Sequence, residues 1–232
     1  FVIRMTGQEN LVATAARKNL FSDVPSGSWY AGYVNLAYEN GLINGYGNGT
    51  FGPEDCVTYG QAATILLRVL GYSSAEVGSV WPSDYTTFLS SLGIGQGLSL
   101  SDSQNLTRGQ AAILLYHTLE TSVKGSSQLY YETLSQVSDT KSVIILDTET
   151  QNGYTEVYSL TDGTYQSYPQ ANSLSADFTH SIGTLLLNSA GKITGYLPDT
   201  QASTTVTLKE VKSSGLTDTP GTFYQIPSGA VL

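Results

Sequence analysis

The chain has 232 residues, enough for two domains, and 40% of them are hydrophobic, so each domain can have a core. Only 12% are charged and the formal net charge is −9, which argues against nucleic-acid binding because that requires a basic surface. One cysteine, two histidines and no long apolar run predict no disulfide, no zinc site or other cofactor, and no membrane span.

The first residues of the chain match a segment found further along. "FVIRMTG" aligns with "ILLRVLG" at Ile65 to Gly71, so that Arg4 falls on Arg68. Residues 1–20 are therefore predicted to be the end of a truncated repeat. Because the chain starts at Phe1 without an initiator methionine, we expect an exported product from which any signal peptide has been removed.

Residues 21–72 form a complete unit with two helical patterns and a glycine-rich loop between them. Gly41 is placed to end the first helix, and Pro53 prevents helix from resuming inside the loop. The second helix starts with a Thr-x-x-Gln capping box at Thr58. Helical spacing predicts one buried face on this helix, formed by Ala62, Ile65, Leu66 and Val69.

Residues 73–125 repeat this unit in a degraded form. "TRGQAAILLYHTLE", starting at Thr107, aligns with "TYGQAATILLRVLG" and has the same capping pattern. Trp81 takes the position that Trp29 has in the complete unit, but the segment "GNGTF" is missing from the loop. Each unit is therefore predicted to be helix, loop and helix.

The character of the chain changes at residues 126–232, where short β-rich runs are separated by turn signals such as Thr161-Asp162-Gly163. This pattern predicts a small all-β barrel or sandwich, preceded by a linker at Val123 to Gln128. The whole chain is thus expected to be a multidomain α+β protein, mainly α in its repeats and all-β in its last part.

The repeats resemble the S-layer homology (SLH) family. The resemblance is carried by Phe-x-Asp-Val from Phe21, a Trp-Tyr pair at Trp29, Gly-Tyr-x-x-Gly-Thr-Phe-x-Pro from Gly45, and Arg-x-Leu-Gly from Arg68. It is close over residues 21–72 and weak over 73–125, and it does not extend to residues 126–232.

The resemblance implies a role at the cell surface of a Gram-positive or similar bacterium. SLH repeats attach exported proteins to the cell wall by binding secondary cell-wall polysaccharide, which often carries pyruvate. An arginine fork suits the pyruvate carboxylate, and an aromatic face suits a sugar ring. Tyr59 replaces the arginine that the family has at the start of the second helix, whereas Arg108 retains it. The residues that the resemblance implies for polysaccharide binding are Asp23, Trp29, Gly49, Thr50, Phe51, Trp81 and Arg108.

Several of these residues also have a purely structural interpretation. For Trp29 and Trp81, packing in the core is favoured over stacking on a sugar. Arg108 is either an anion contact or a solvated arginine in the first helical turn. Phe51 is expected to be buried first and a ligand contact second.

We therefore expect a non-catalytic protein of the cell envelope, because no catalytic triad, paired carboxylates or phosphate loop is evident in the sequence. The leading hypothesis is attachment to wall polysaccharide. One alternative is a subunit of a surface lattice or filament that assembles through protein contacts. The other is an anchor that displays a carbohydrate- or host-binding β domain.

Overall fold

The structure, a computed structural model, describes residues 1–148, 153–199, 208–212, 215–218, 220–221 and 223–225. The chain divides into two compact units, Phe1–Ser135 and Gln136–Leu232. The boundary lies later than the expected linker, which is instead a closed loop in the first unit. The Val123 backbone nitrogen donates to the Gln128 carbonyl over 3.0 Å, so this segment is held in place.

The first unit is helical, as the sequence predicts. Its α-helices are α1 (Val2–Met5), α2 (Val12–Ala15), α3 (Ala31–Glu39), α4 (Tyr59–Val69), α5 (Ser74–Val77), α6 (Ser83–Ser91) and α7 (Arg108–Leu119). Short 3₁₀ turns lie at Glu9–Leu11 and Tyr130–Thr133. Helices α3 and α4, and then α6 and α7, are the two predicted helix–loop–helix pairs. In the part of the chain that the structure describes, no helix is both long and apolar enough to cross a membrane.

Capping boxes start α4 and α7, which confirms the prediction for both. Thr58 Oγ1 accepts from the Gln61 nitrogen at 3.3 Å, and Gln61 Oε1 accepts from the Thr58 nitrogen at 2.9 Å. Thr107 and Gln110 make the same two bonds at 3.2 and 2.9 Å. Each box satisfies two backbone groups that a helix start otherwise leaves free.

The buried face of α4 is rotated from the predicted one. Its buried side chains include Ala63, Leu66 and Leu67, whereas three of the four predicted residues, Ala62, Ile65 and Val69, are only partly buried. The predicted face missed Ala63 and Leu67 because α4 packs against α6 as well as α7, so more than one side of it is covered.

The second unit has two antiparallel sheets. The first has the order β3-β2-β1-β4-β5, and the second has the order β6-β7-β8. The strands are β1 (Asp139–Asp147), β2 (Tyr154–Ser159), β3 (Tyr165–Pro169), β4 (Ile182–Leu187), β5 (Ile193–Pro198), β6 (Leu208–Lys212), β7 (Gly215–Asp218) and β8 (Phe223–Gln225). Among its fully buried core residues are Val143, Ile145, Val157, Leu185 and Ile193.

The five-stranded sheet is open, so the predicted barrel is not supported. A barrel requires the first and last strands of a sheet to pair with each other. One bridge joins Gln170 to Ile193, but no ladder connects β3 with β5 among the described residues. The turn predicted at Thr161-Asp162-Gly163 is present: Gly163 has a φ of +69°, as a tight turn between strands requires.

Candidate functional site

The glycine-rich loop between α3 and α4 is held by Asp23. The carboxylate of Asp23 accepts the backbone N–H of Gly52 at 2.7 Å and that of Phe51 at 2.9 Å. The bond from Gly52, followed by that from Phe51, lowers the pKa of Asp23 because both favour the ionised form. Ser22 adds a second connection, since its nitrogen donates to the Gly49 carbonyl over 2.9 Å. Asp23 and Ser22 therefore fix the position of the loop.

The loop is also bonded within itself. The Tyr46 nitrogen donates to the Thr50 carbonyl at 2.9 Å, and the Thr50 hydroxyl donates to Asn48 Oδ1 at 2.6 Å. Gly45 has a φ of +64°, and a Cβ there would lie 2.6 Å from the Thr50 carbonyl oxygen. Gly52 has a φ of +76°, and a Cβ there would overlap the Asp55 carboxylate. Only glycine fits this path at both positions.

A groove of about 490 Å³ lies between this loop, α4 and the start of α6. The loop, α4 and the degraded repeat at residues 73–125 each contribute to the wall of the groove. The side chains that line it include Tyr46, Phe51, Asp55, Cys56, Gln61, Thr64, Arg68, Trp81 and Tyr85.

Trp81 forms an exposed aromatic wall of the groove. Its indole Nε1 donates to Thr64 Oγ1 at 3.1 Å, which fixes the ring while 56% of the residue stays exposed. Trp29, its counterpart in the complete unit, is 82% exposed and contacts the Tyr30 ring edge-on at 5.6 Å. The favoured expectation that both tryptophans pack in the core is therefore wrong. The core cluster of Phe21, Val24, Ala31 and Val34 contains neither tryptophan.

Arg68 and Asp55 are the charged side chains of the groove lining described here. Arg68 Nη1 donates to the Leu42 carbonyl at 3.1 Å, and Arg68 Nη2 donates to the Asn44 amide oxygen at 3.1 Å. Asp55 Oδ2 accepts the hydroxyl of Tyr46 at 2.6 Å. This hydrogen bond is the main reason that the pKa of Tyr46 is raised, because it stabilises the protonated phenol.

The structure brings together only some of the residues that the sequence singled out. Phe51 and Trp81 line the groove, and Phe51 is partly buried against the Phe21 ring at a centroid distance of 5.7 Å. Thr50 is bonded inside the loop. Trp29 and Arg108 lie outside the groove lining; the Arg108 guanidinium is 5.1 Å from the centroid of the Phe1 ring.

The groove lining also contains Arg68 and Asp55, and neither was among the binding residues predicted from the sequence. The sequence does place Arg68 in the last turn of α4, and the structure shows that this turn lies next to Leu42 in the segment after α3. No signal in the sequence indicated that Asp55 lines the groove, because its position depends on how the loop folds back towards Tyr46.

Among the described residues, no group of three or more His, Cys, Asp or Glu side chains could hold a metal ion.

Comparison with known proteins agrees with the helix–loop–helix unit. The family model of the S-layer homology domain matches residues 20–63. Residues 20–63 are an S-layer homology domain. The match covers α3, the glycine-rich loop and the first part of α4, and thus most of the groove. The division of residues 1–125 into one truncated, one complete and one degraded SLH repeat stays a prediction.

Several relatives of the chain are bacterial surface proteins. A "Cell surface protein" of Thermoanaerobacter kivui is 35% identical over 157 residues, which are 66% of this chain and 20% of that protein. A "Surface layer protein" of Brevibacillus choshinensis is 31% identical over 134 residues, 57% of this chain and 12% of that protein. The SLH domain and these relatives support a surface protein anchored at the cell wall.

Enzymes also carry a related segment. An "Amylopullulanase" of Thermoanaerobacterium thermosulfurigenes is 30% identical over 119 residues, 44% of this chain and 6% of that protein. The chain thus spans a fifth or less of the length of these three relatives. No solved structure gives a significant match to the chain.

Proposed function

We propose that the helical unit attaches the protein to the bacterial cell wall by binding a wall polysaccharide in the groove beside Trp81. The observation that carries this proposal is the exposed indole of Trp81, held by Thr64 on the groove wall. An exposed, oriented aromatic ring offers a flat apolar face to the C–H side of a sugar. Concave sites with a few fixed polar groups are where small rings bind.

The other groups in the groove also suit a sugar. The Tyr85 hydroxyl and the Gln61 amide nitrogen are polar groups in the same lining as Trp81. The Tyr46 hydroxyl already donates to Asp55, and the Gln61 oxygen already accepts from Thr58. The groove opens to solvent, as a long polysaccharide requires if only a few of its rings are bound at one time.

The charges of the groove favour binding over hydrolysis. Glycoside hydrolysis uses two carboxyl groups on opposite sides of the scissile bond. The lining described here includes one carboxylate, Asp55, and that carboxylate accepts the Tyr46 hydroxyl. A non-catalytic anchoring role is therefore the function that the groove supports best.

Co-sedimentation with wall sacculi tests the proposal. Sacculi of Thermoanaerobacter kivui would be used intact and after hydrofluoric acid has removed their secondary polysaccharide. We expect binding to intact sacculi only, and at least about tenfold weaker binding for Trp81→Ala. Trp29→Ala is the matched control, because it removes an indole that is also exposed but lies outside the groove. If the folded protein does not bind intact sacculi, the anchoring proposal is wrong.

A second candidate function is assembly into a surface lattice. Trp29 favours it, because this large apolar side chain is 82% exposed and lies outside the groove. A relative named "Surface layer protein" is consistent with such a role. Sedimentation velocity without any wall material separates the two functions. Concentration-dependent assembly that Trp29→Ala abolishes and Trp81→Ala does not would favour the lattice.

A further inference from the structure

A second pocket, of about 550 Å³, lies in the helical unit next to the groove. Leu42 and Arg68 border both, and the rest of the two linings differs. The other walls of the second pocket include residues 6–8, which follow α1, and residues 130–135, which follow α7. Both segments lie outside the residues that the SLH family model matches, so that match does not account for this pocket.

Tyr130 contributes an unused hydroxyl to the lining of this pocket. The residue is only 8% exposed, and its hydroxyl has no hydrogen-bond partner among the described residues. The Thr133 hydroxyl donates to the Tyr130 carbonyl at 2.7 Å, which holds the turn in place. Burial raises the pKa of Tyr130, so the phenol keeps its proton at neutral pH and remains a donor. A fixed donor in a largely buried site binds an acceptor more strongly than a donor in water does.

The described lining of the pocket has one positive charge and no negative one. Arg68 takes part in none of the ion pairs between described residues, and its bond to the Leu42 carbonyl leaves its charge intact. No aspartate or glutamate is among the lining residues that the structure describes. The last carbonyls of α4 are already bonded, since the Gly71 nitrogen donates to Arg68 and the Lys124 nitrogen to Leu70, each at 3.0 Å. A guanidinium together with a phenol donor suits a carboxylate.

Two side-chain amides lie next to each other in the same lining. Asn40 Nδ2 donates to Gln8 Oε1 at 2.7 Å. This bond leaves Gln8 Nε2 as a donor and Asn40 Oδ1 as an acceptor, both without a partner among the described residues. A peptide group has one acceptor and one donor, so it can bond to both. Leu42 and Leu134, which are buried, add apolar surface for a small side chain.

We propose that this second pocket binds the carboxyl terminus of a peptide. Arg68 and the Tyr130 hydroxyl bind the terminal carboxylate, and Gln8 and Asn40 pair with the last peptide group. The carboxylate and that peptide group are one residue apart, or less than about 4 Å of extended chain, so one pocket can hold both. The helical unit then has a site for protein chains that is separate from its groove.

Nuclear magnetic resonance titrations of the full chain with three small probes test the inference. N-acetyl-L-alanine has both the carboxylate and the amide, acetate has only the carboxylate, and N-acetyl-L-alaninamide has amides without the charge. The backbone N–H signals of Gly7 and Ser135 report on the pocket, and the indole N–H signal of Trp81 reports on the groove. We expect N-acetyl-L-alanine to shift the two pocket signals and not the indole signal, with a dissociation constant of about 1 mM. Acetate and the alaninamide should bind at least about tenfold more weakly.

Three variants locate the site. Tyr130→Phe removes the hydroxyl and keeps the ring, so it should fold like the native chain and bind N-acetyl-L-alanine about tenfold more weakly. Tyr131→Phe is the matched control, because Tyr131 lies in the same turn and is also 8% exposed but is outside the pocket lining. Its affinity should equal that of the native chain. Gln8→Glu replaces an amide donor by a negative charge and should weaken binding by at least about tenfold as well.

Several results would overturn the inference. If N-acetyl-L-alanine shifts neither pocket signal, or shifts only the Trp81 indole signal, the pocket is not its site. If acetate binds as tightly as N-acetyl-L-alanine, the pocket accepts any small acid and does not recognise a peptide end. If Tyr130→Phe binds like Tyr131→Phe, the free hydroxyl has no part in binding. The anchoring function is unaffected by all of these results, because its own test measures binding to sacculi.

Discussion

The carboxylate of Asp23 lies 2.7 Å from the backbone nitrogen of Gly52 and thereby joins the start of the SLH domain to its glycine-rich loop. The same carboxylate also accepts from Phe51, whose ring lines the groove. Asp23 is not itself part of the groove lining. It therefore affects any ligand only through the position of the loop.

We expect Asp23→Ala to lower the thermal midpoint of the helical unit and to weaken wall binding together with it. The pKa of Asp23 is lowered in the folded state, so its stabilising effect is present above the ordinary pKa of an aspartate. That effect is lost as the pH falls through the lowered value. Melting curves followed by circular dichroism at several pH values would show the variant and the native chain converging in acid. Glu54→Ala, an exposed acid of the same loop, should melt like the native chain at every pH.

Glu76 should show the same dependence more strongly. Lys124 is the main cause, followed by Ser73, that lowers its pKa from 4.5 to about 2. The stabilisation is therefore complete above pH 4.5 and is lost as the pH falls towards about 2. We expect Glu76→Gln to melt at a lower temperature than the native chain at pH 7, and the difference to shrink steadily below pH 4.5. A difference that stays constant down to pH 2 would contradict this assignment.

The buried face of α4 predicts the cost of core substitutions in the helical unit. Leu67 is fully buried, so Leu67→Ala should lower the free energy of unfolding by about 2–5 kcal/mol. Val80 is 60% exposed in the same unit, and Val80→Ala should change it by less than about 0.5 kcal/mol. Urea titrations followed by the helical signal would measure both. Equal effects of the two substitutions would mean that α4 is packed differently.

The division of the chain at Ser135 predicts that the helical unit folds alone. We expect residues 1–135 to give a cooperative helical melting transition and to bind intact sacculi as tightly as the full chain. Residues 136–232 should not bind sacculi. If that second fragment carried the binding, the alternative of a β domain that recognises carbohydrate would replace the groove as the site.

Local sequence signals predicted local structure well. The Thr-x-x-Gln pattern is sufficient to predict the capping boxes of Thr58 and Thr107, because all bonding partners lie within three residues. A glycine such as Gly163 also predicts a tight turn from the sequence alone, because such a turn needs a positive φ angle that glycine adopts without strain. The helix–loop–helix units followed from helical periodicity and from the resemblance of their motifs to the SLH family.

Features that depend on contacts between distant segments were harder to predict. Whether Trp81 is buried depends on Thr64 and the loop, which are a whole helix away in sequence. The expected bond between an arginine and a pyruvate came from the family pattern. In this chain Arg108 lies beside Phe1 and outside the groove lining, while Arg68 is inside it. Whether a sheet closes is likewise decided by pairing of its outermost strands, which their composition does not specify.

The path of the glycine-rich loop limits how an SLH unit of this kind can change during evolution. At Gly45 and Gly52 any side chain would collide with neighbouring atoms and force an unfavourable backbone angle. Replacement of either glycine would therefore give a badly folded loop, whereas one deletion between them shortens the connection, removes the path that requires them and leaves the two helices. The degraded repeat at residues 73–125, which lacks "GNGTF" and still forms α6 and α7, is what such a deletion would produce.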